Sequence, residues 1–136
     1  HEDAEKIVKV IAGKFEKAEG PEKGHNVDPI YFHVVLEEGK EFKCNVPSGH
    51  NSFVYLLTGG LYVGESKHDK TSNSNLILLD RGDKLIVKAN KKSEFLFIAG
   101  KPIGEPIARG GPFVMNTKAE ILQAVQDYHN GTFAKY

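Results

Sequence analysis

The side chains best suited to chemistry in this sequence are its histidines and its cysteine. Six histidines and one cysteine occur among the 136 residues, and imidazole and thiolate groups are common ligands of Zn and other transition metals. No two histidines have the His-x-His spacing that places two imidazoles on one face of a strand. The remaining candidates for a metal site are His33, Cys44 and His50, which could lie on or near neighbouring strands.

A structural interpretation of the same residues competes with the metal site. Cys44 fits a small buried side chain, and His50 follows Gly49 and fits a loop residue whose ring is satisfied by the backbone or by water. The other internal histidines lie in polar stretches, which predicts that they are solvated: His25, His68 and His129.

Other arrangements that could support catalysis are less complete. Ser48-Gly49-His50 places a hydroxyl near an imidazole, but no acid partner or oxyanion-hole signature accompanies the two. Asp80 and Asp83 flank a predicted turn, where aspartate is favoured because its side chain bonds the nearby backbone. No glycine-rich phosphate-binding motif is present. The sequence therefore predicts no catalytic, cofactor-binding or metal-binding residue.

The elements that must position these residues are short strands. Eight segments are β-branched, aromatic or alternating in polarity and end at turn residues: 7–12, 31–36, 41–46, 53–57, 61–63, 76–79, 85–87 and 95–99. A loop is predicted over 14–29, and tight turns are predicted over 58–60 and 89–92. Such spacing is typical of an antiparallel sandwich or barrel that limits its exposed edges.

Four aromatic residues alternate along two of these segments. Phe53, Tyr55, Phe95 and Phe97 are expected to lie in the core or to line the barrel, not to form a surface that stacks on bases. An eight-stranded barrel can also enclose a small apolar ligand.

One helix closes the sequence, and we predict it over 116–131. Thr117 and Glu120 have the spacing of a capping box, and Asn116 offers a second possible cap. The helix face expected to be buried carries Ile121, Leu122, Ala124, Val125 and Tyr128. Gly131 is placed to end the helix in the left-handed conformation.

Composition excludes several classes of function. Eighteen basic and eighteen acidic residues give a formal net charge of +0, so there is no long-range field to attract nucleic acid or an anionic membrane. No apolar run is long enough for a membrane span, and no signal peptide is visible. A single cysteine, Cys44, suits a reducing compartment, so we expect a cytoplasmic protein.

The segment EPIARGGPFVMNTKAEILQAVQDYHNGTF resembles the closing segment of pirin-like proteins, which belong to the cupin superfamily. The resemblance extends from about Lys6 to the C-terminus. It implies that residues 1–136 form a single cupin domain, an all-β jelly-roll barrel or sandwich with one C-terminal helix.

Cupin enzymes bind a metal through two motifs, and the glycines of both can be matched here. Gly39 and Gly59 fit the glycines of the first motif, which places Asn45, Pro47 and Ser52 at its ligand positions. None of the three replaces an imidazole or carboxylate as a metal ligand.

Gly82 fits the opening glycine of the second motif. The positions of its Pro, Gly, His and Asn are then occupied by Lys88, Asn90, Ser93 and Phe97. If this alignment holds, the turns of the barrel are kept and all four metal ligands are replaced.

The resemblance implies a supporting role for this chain. Pirins have two cupin domains, the first of which holds the metal, and some act as quercetin 2,3-dioxygenases. The chain begins with His1 rather than Met, so we expect it to be the second half of a longer protein, without a cofactor of its own. Iron or another divalent metal is expected in the missing N-terminal domain.

The expected partners follow from the same resemblance. Pirin barrels pack face to face, so this half should contact the missing domain and, taken alone, should associate with itself. We expect no direct contact with nucleic acid or membranes. Alternatives remain open: catalysis by this chain through His50 or Cys44, a parent quercetin dioxygenase with its active site elsewhere, or a module that binds a small ligand or a protein partner.

Overall fold

A computed structural model of the chain describes residues 5–22, 26–64, 70–72 and 74–134, the side chains of 70–72 excepted. The chain divides into two compact units, His1–Pro102 and Ile103–Tyr136. The first unit contains nine described strands, and the second contains two strands and a helix.

The first unit is an antiparallel β-sandwich. Its strands are β1 (Lys6–Ala12), β2 (Lys14–Phe15), β3 (Ala18–Glu19), β4 (Ile30–Leu36), β5 (Glu41–Asn45), β6 (Asn51–Val63), β7 (Lys70–Ser72), β8 (Asn75–Leu79) and β9 (Lys84–Gly100). Seven of them form one sheet in the order β1-β4-β9-β6-β7, with β5 also paired to β9 and β8 also paired to β6. The prediction of an antiparallel sandwich or barrel is therefore confirmed.

Two predicted turns are instead bends within long strands. β6 has 13 residues and runs through 58–60, and β9 has 17 residues and runs through 89–92. The two strands stay paired across this region, with Gly60 opposite Lys91 and register shifts on either side. The prediction ended each strand at these turn-forming residues. In the structure the strands continue, because extra residues in one strand of a pair can form bulges that bend the sheet.

The predicted loop over 14–29 is also partly ordered. Lys14–Phe15 and Ala18–Glu19 pair as a small hairpin, and the Gly20 amide donates to the Gly13 carbonyl at 2.9 Å. Phe15 from this hairpin is buried in the core. Its burial explains why a mostly polar segment folds against the sandwich.

The core of the first unit takes alternate residues from each strand. On β4, Phe32, Val34 and Leu36 are buried and the residues between them are only partly so. On β9, the same alternation buries Phe95, Phe97 and Ala99. This period of two assigns each strand one inward face and one outward face.

The second unit contains β10 (Ala108–Gly110), β11 (Phe113–Met115) and α1 (Lys118–His129). Thr117 is the N-cap, and the capping box with Glu120 is complete, as predicted. The Glu120 carboxylate accepts from the Thr117 amide at 2.7 Å and from its hydroxyl at 2.8 Å. These hydrogen bonds lower the pKa of Glu120. Among the described residues, no helix is long and apolar enough to cross a membrane.

The two glycines of the GGPFVMNT segment have different roles. A Cβ on Gly110 would lie 2.4 Å from Cγ2 of Ile121, so only glycine lets β10 approach the helix this closely. Gly111 has a φ of 55°, in the left-handed region that favours glycine. The segment is thus shaped by the packing of the hairpin against α1.

The predicted buried face of the helix is partly wrong. Ile121 and Ala124 are buried, but Leu122 is 72% exposed and Tyr128 is 65% exposed. The Tyr128 ring contacts that of Phe113 with centroids 6.1 Å apart. The helix packs on a hairpin that is only two short strands wide, and so narrow a surface covers few of its apolar side chains.

Candidate functional site

The interior of the sandwich is filled by phenylalanine rings. Phe15 stacks on Phe42 with centroids 5.4 Å apart and meets Phe32 edge-on at 5.7 Å. Phe97 packs against Phe32 at 6.0 Å, and Phe95 against Phe42 at 5.7 Å. Five rings from the hairpin, β4, β5 and β9 therefore form one continuous aromatic chain through the core.

Ser93 occupies the histidine position of the fitted second motif and lies at the bend of the sheet. Its side chain is 1% exposed. The Gly60 amide donates to Ser93 Oγ at 2.9 Å, and the hydroxyl lies 2.7 Å from the Lys91 carbonyl and 3.0 Å from the Gly60 carbonyl. The hydroxyl therefore links β9 to the Gly60 backbone of β6, and the groups around it are backbone amides and carbonyls.

Gly59 lies directly beside Ser93, where there is no space for a larger residue. A Cβ there would lie 2.3 Å from Ser93 Oγ and 2.5 Å from its Cα, and the φ of Gly59 is 101°. Both the close approach and the backbone angle require glycine. Packing against Ser93 therefore requires a glycine at this position.

The other positions of the fitted motifs do not converge with Ser93. Ser52 is paired with Ala99, six residues along β9 from Ser93, which is about 20 Å in a strand. Asn45 is paired with Lys84, nine residues before Ser93 and beyond the bend. Pro47 is exposed in the turn after β5. Strand register, which glycine spacing does not reveal, keeps these residues apart.

The second-motif residues other than Ser93 have separate surroundings. Phe97 is in the core, Lys88 is exposed, and Asn90 lies beside Gly60 with its Nδ2 atom buried and unpaired among the described residues.

The three candidates for a displaced metal site are also separate. His33 Nε2 lies 2.6 Å from Glu94 Oε1 on the outward face of the sheet. Cys44 packs against the core, and burial raises the pKa of its thiol to about 12. His50 is buried, and its Nε2 donates to the Asp28 carbonyl at 3.0 Å. Among the described residues, no group of three or more His, Cys, Asp or Glu side chains could hold a metal ion.

The remaining catalytic candidates lie on the surface. Ser48, Asp80, Asp83 and His129 are exposed, and His25 and His68 lie outside the described residues. A thiol protonated at neutral pH is a poor nucleophile and metal ligand, so Cys44 also lacks the chemistry of a reactive cysteine. The residues described do not fit the metal of cupin enzymes.

A large apolar surface lies on the other side of the same strands. Its residues alternate with those of the core and are partly or largely exposed: Tyr31, His33, Phe53, Tyr55, Leu76, Leu78, Leu96 and Ile98. We refer to this set as the outer apolar face. Outward faces of antiparallel sheets are usually polar when they meet water.

Strand register makes the outer apolar face continuous. One row runs Leu78, Phe53, Ile98 and Tyr31 across β8, β6, β9 and β4. The next row runs Leu76, Tyr55, Leu96 and His33 across the same strands. Leu76 is 56% exposed and Leu78 is 77% exposed. The β8 end of the face is therefore its least covered part.

This surface corrects one prediction about the aromatic residues. Phe95 and Phe97 are in the core as expected, but Phe53 and Tyr55 point away from it. The available signal was the unbroken apolar run from Phe53 to Leu57. A run without alternation is typical of a strand that is covered on both faces.

The fold and the filled interior define a cupin-type β-sandwich, and comparisons with known proteins identify its family. A family model described as the pirin C-terminal cupin domain matches residues 31–134. The chain belongs to the pirin family and corresponds to that C-terminal domain.

Individual relatives agree with this assignment. A pirin-like protein of Caulobacter vibrioides is 38% identical over 127 residues, which cover 93% of this chain and 45% of the relative. Pirin of Homo sapiens is 38% identical over 104 residues, which cover 74% of this chain and 36% of that pirin. A crystal structure of quercetin 2,3-dioxygenase from Acinetobacter baumannii has a TM-score of 0.85 at 31% identity. The match covers 98% of this chain and 46% of the dioxygenase chain. The chain spans about half the length of the curated relatives it matches.

Proposed function

We propose that this chain is the non-catalytic, metal-free C-terminal cupin half of a cytoplasmic pirin-like protein and that it has a structural and interaction role. The observation that supports this most directly is the use of Ser93. At the position fitted to a cupin histidine, its hydroxyl is engaged by Gly60 and Lys91 within the buried bend of the sheet.

The filled interior supports the same role. Phe32, Phe42, Phe95 and Phe97 are each at most 1% exposed, and Phe15 joins their two pairs into one chain of rings. Protein interiors are close-packed, and opening a ligand cavity there would require displacing these rings. Binding of a substrate inside the sandwich would therefore carry the energetic cost of displacing these rings.

The interaction role rests on the outer apolar face. Four strands about 4.8 Å apart, with three residues of each in the face, cover roughly 200 Å² in projection. The face is continuous and apolar where sheet faces that meet water are usually polar, which favours a covered surface. Because the matched relatives are about twice as long as this chain, the proposed occupant is the other cupin half of the same protein. In the isolated chain a second copy would take its place.

Metal analysis of the purified chain tests the non-catalytic role. We expect less than stoichiometric Fe, Mn, Ni, Cu or Zn after refolding with each metal, and no quercetin turnover. Stoichiometric binding of one of these metals, lost on substitution of His50 or Cys44, would support the enzyme alternative and contradict the proposal.

Sedimentation tests the interaction role independently of metal content. The isolated chain should self-associate, and Leu78→Glu should shift it to a monomer because a charge would be buried without a partner. Ser48→Glu introduces the same charge at an exposed turn outside the outer apolar face and should leave association unchanged. A strict monomer at high concentration would contradict self-association.

A second proposal concerns the parent protein. The similarity to a quercetin 2,3-dioxygenase over 98% of this chain favours a metal-dependent dioxygenase whose active site, with Fe or another divalent metal, lies in the other half. A two-domain protein should then bind one metal and turn over quercetin, and Leu78→Glu should reduce its stability more than Ser48→Glu. Turnover that survives in the isolated chain would place the active site here instead.

A further inference from the structure

A hydrogen-bonded pair of titratable side chains lies at the margin of the outer apolar face. His33 Nε2 on β4 donates to Glu94 Oε1 on β9 at 2.6 Å. Glu94 precedes Leu96 by two residues, so both side chains lie on the same side of the sheet. The side chains of His33 and Glu94 are 19% and 39% exposed. The margin of the face therefore contains a polar contact that is already mostly covered.

The residues opposite this pair in the sheet are uncharged on β9, β4 and β6. Leu96 of β9 lies opposite His33. Val35 of β4 and Thr58 of β6 lie opposite Glu94. The other titratable groups of the outer apolar face are the phenols of two tyrosines, and a phenol carries no charge between pH 6 and pH 8. The face around the pair is therefore a surface of low charge.

Two lysines are the nearest cations along the neighbouring strands. Lys9 of β1 lies opposite His33 and is exposed, so water surrounds its ammonium group. Lys92 lies two residues before Glu94, and its Nζ is 2.6 Å from Glu37 Oε1. Water and Glu37 screen these two ammonium groups, whereas the His33 ring contacts the Glu94 carboxylate directly.

Covering the pair changes which of its protonation states is favoured. With a neutral imidazole the pair carries the negative charge of Glu94, and with one added proton it carries no net charge. A buried charge without a counter-charge is costly, whereas an imidazolium and a carboxylate in contact compensate each other. A partner that covers the face therefore favours the state with the added proton, whichever of the two groups holds it.

We propose that association through the outer apolar face takes up a proton at the His33–Glu94 pair, so that mildly acidic pH strengthens it. The proposal rests on the interaction role proposed above and adds regulation to that surface. The sign follows from linkage, since the state that binds more protons is favoured as the pH falls. Overall charge acts in the opposite direction: the six histidines make a chain of formal charge +0 positive as the pH falls, and like-charged copies repel each other.

Sedimentation of the full chain at pH 8, pH 7 and pH 6 tests this coupling. The dissociation constant for self-association should fall at least about fivefold from pH 8 to pH 6, because each copy takes up a proton. A chain whose association requires Leu78 but does not strengthen towards pH 6 would overturn this proposal and leave the interaction role standing. A chain that is monomeric at every pH, or that associates as well with Leu78→Glu, would overturn both.

Three substitutions separate this pair from the other histidines. Glu94→Gln removes the charge that the proton compensates, so association should be stronger at pH 8 and should weaken towards pH 6. His33→Gln keeps an N–H donor for Glu94 but takes up no proton, so it should lose the strengthening. His129→Gln, at an exposed position on α1, is the control and should keep the response of the unsubstituted chain. Strengthening towards pH 6 that persists in Glu94→Gln or His33→Gln, or that disappears in His129→Gln, would overturn the assignment to this pair.

Discussion

On strand β6, Val54 and Leu56 are 0% exposed, whereas Phe53 and Tyr55 from the same apolar run lie on the opposite face and are only partly covered. The inner face is completed by this chain itself, through phenylalanine packing and the hydrogen bonds of Ser93. The outer face is equally apolar but ends in the exposed Leu76 and Leu78. The inner face is therefore organised for stability, and the outer face is the surface that we propose meets a partner.

The inner face also differs from the interior that a metal-binding cupin needs. In a metal cupin the interior must remain open and polar at the ligands. Here the side chains that extend inward from β9 at Phe95 and Phe97 are apolar, and Ser93 bonds only to backbone groups. Because the buried Ser93 hydroxyl has backbone partners, it avoids the cost of burying an unpaired polar atom.

The comparison of the two faces is tested most strongly by one substitution made on each. Leu56→Ala, at 0% exposure on the inner face, should lower the free energy of unfolding by about 2–5 kcal/mol because it leaves a cavity. Leu78→Ala, at 77% exposure on the outer face, should change it by less than about 0.5 kcal/mol. Chemical denaturation measures both, at a protein concentration below that at which the chain self-associates. Similar losses from the two variants would show that the faces are not distinct.

A second test concerns the bend that separates the two halves of β6 and β9. Gly59→Ala should cost about 2–4 kcal/mol, since the new methyl group meets Ser93 and an L residue is strained at this φ. Gly39→Ala is the control, because Gly39 has a φ of 76° but nothing within 4 Å of its Cβ position. It should cost only the backbone strain, about 1 kcal/mol. If the two denaturation curves shift equally, close packing at Ser93 is not what retains Gly59.

The Ser93 hydroxyl should have a smaller but measurable effect. Ser93→Ala leaves the buried Gly60 amide without its 2.9 Å acceptor and should cost about 1–3 kcal/mol. Ser48→Ala, in an exposed turn, should be nearly neutral. Unfolding free energies and the hydrogen-exchange rate of the Gly60 amide report the effect. Unchanged protection of that amide would contradict the hydrogen-bond assignment.

Near neutral pH the smallest expected effect is that of Cys44 beside the core, because the ionisation of its thiol affects stability only at alkaline pH. Burial raises the pKa of its thiol from 9.0 to about 12, so above about pH 9 the folded state keeps a proton that the unfolded chain releases. Stability should therefore fall between about pH 9 and pH 12, and Cys44→Ala should show less of this fall. Subtracting the pH profile of Cys44→Ala from that of the unsubstituted chain removes the effects of lysine and tyrosine titration and leaves the effect of the thiol. Parallel pH profiles would indicate that the thiol ionises as readily when folded.

Several elements were predictable because their signals are local. The capping box at Thr117 and Glu120 depends on residues three apart, and the left-handed Gly131 lies at the end of the same helix. The strands β1, β4 and β5 followed from alternation and from the turn residues beside them. By contrast, the exposure of Leu122 and Tyr128 depended on how small a surface the hairpin offers to the helix.

The candidate sites were less predictable because they depend on register. Glycine spacing matched Asn45 and Ser52 to the first cupin motif and Ser93 to the second, but pairing with Lys84 and Ala99 of β9 places Asn45 and Ser52 away from Ser93 along that strand. The hydrogen bond from His50 to the Asp28 carbonyl joins residues 22 apart, and no local pattern indicates it.

The amino-acid sequence by itself determined the antiparallel strands, the closing helix, the pirin resemblance of GGPFVMNT and the lack of a His-x-His pair. Those features depend on residue types and on spacing within a few positions. The tertiary structure alone decided that β6 and β9 continue through 58–60 and 89–92, that Phe53 and Tyr55 face outward, and that Ser93 joins the strands. The physical reason is that either face of an apolar strand can be buried. Only pairing with strands distant in the sequence determines which face is buried in the core of this chain.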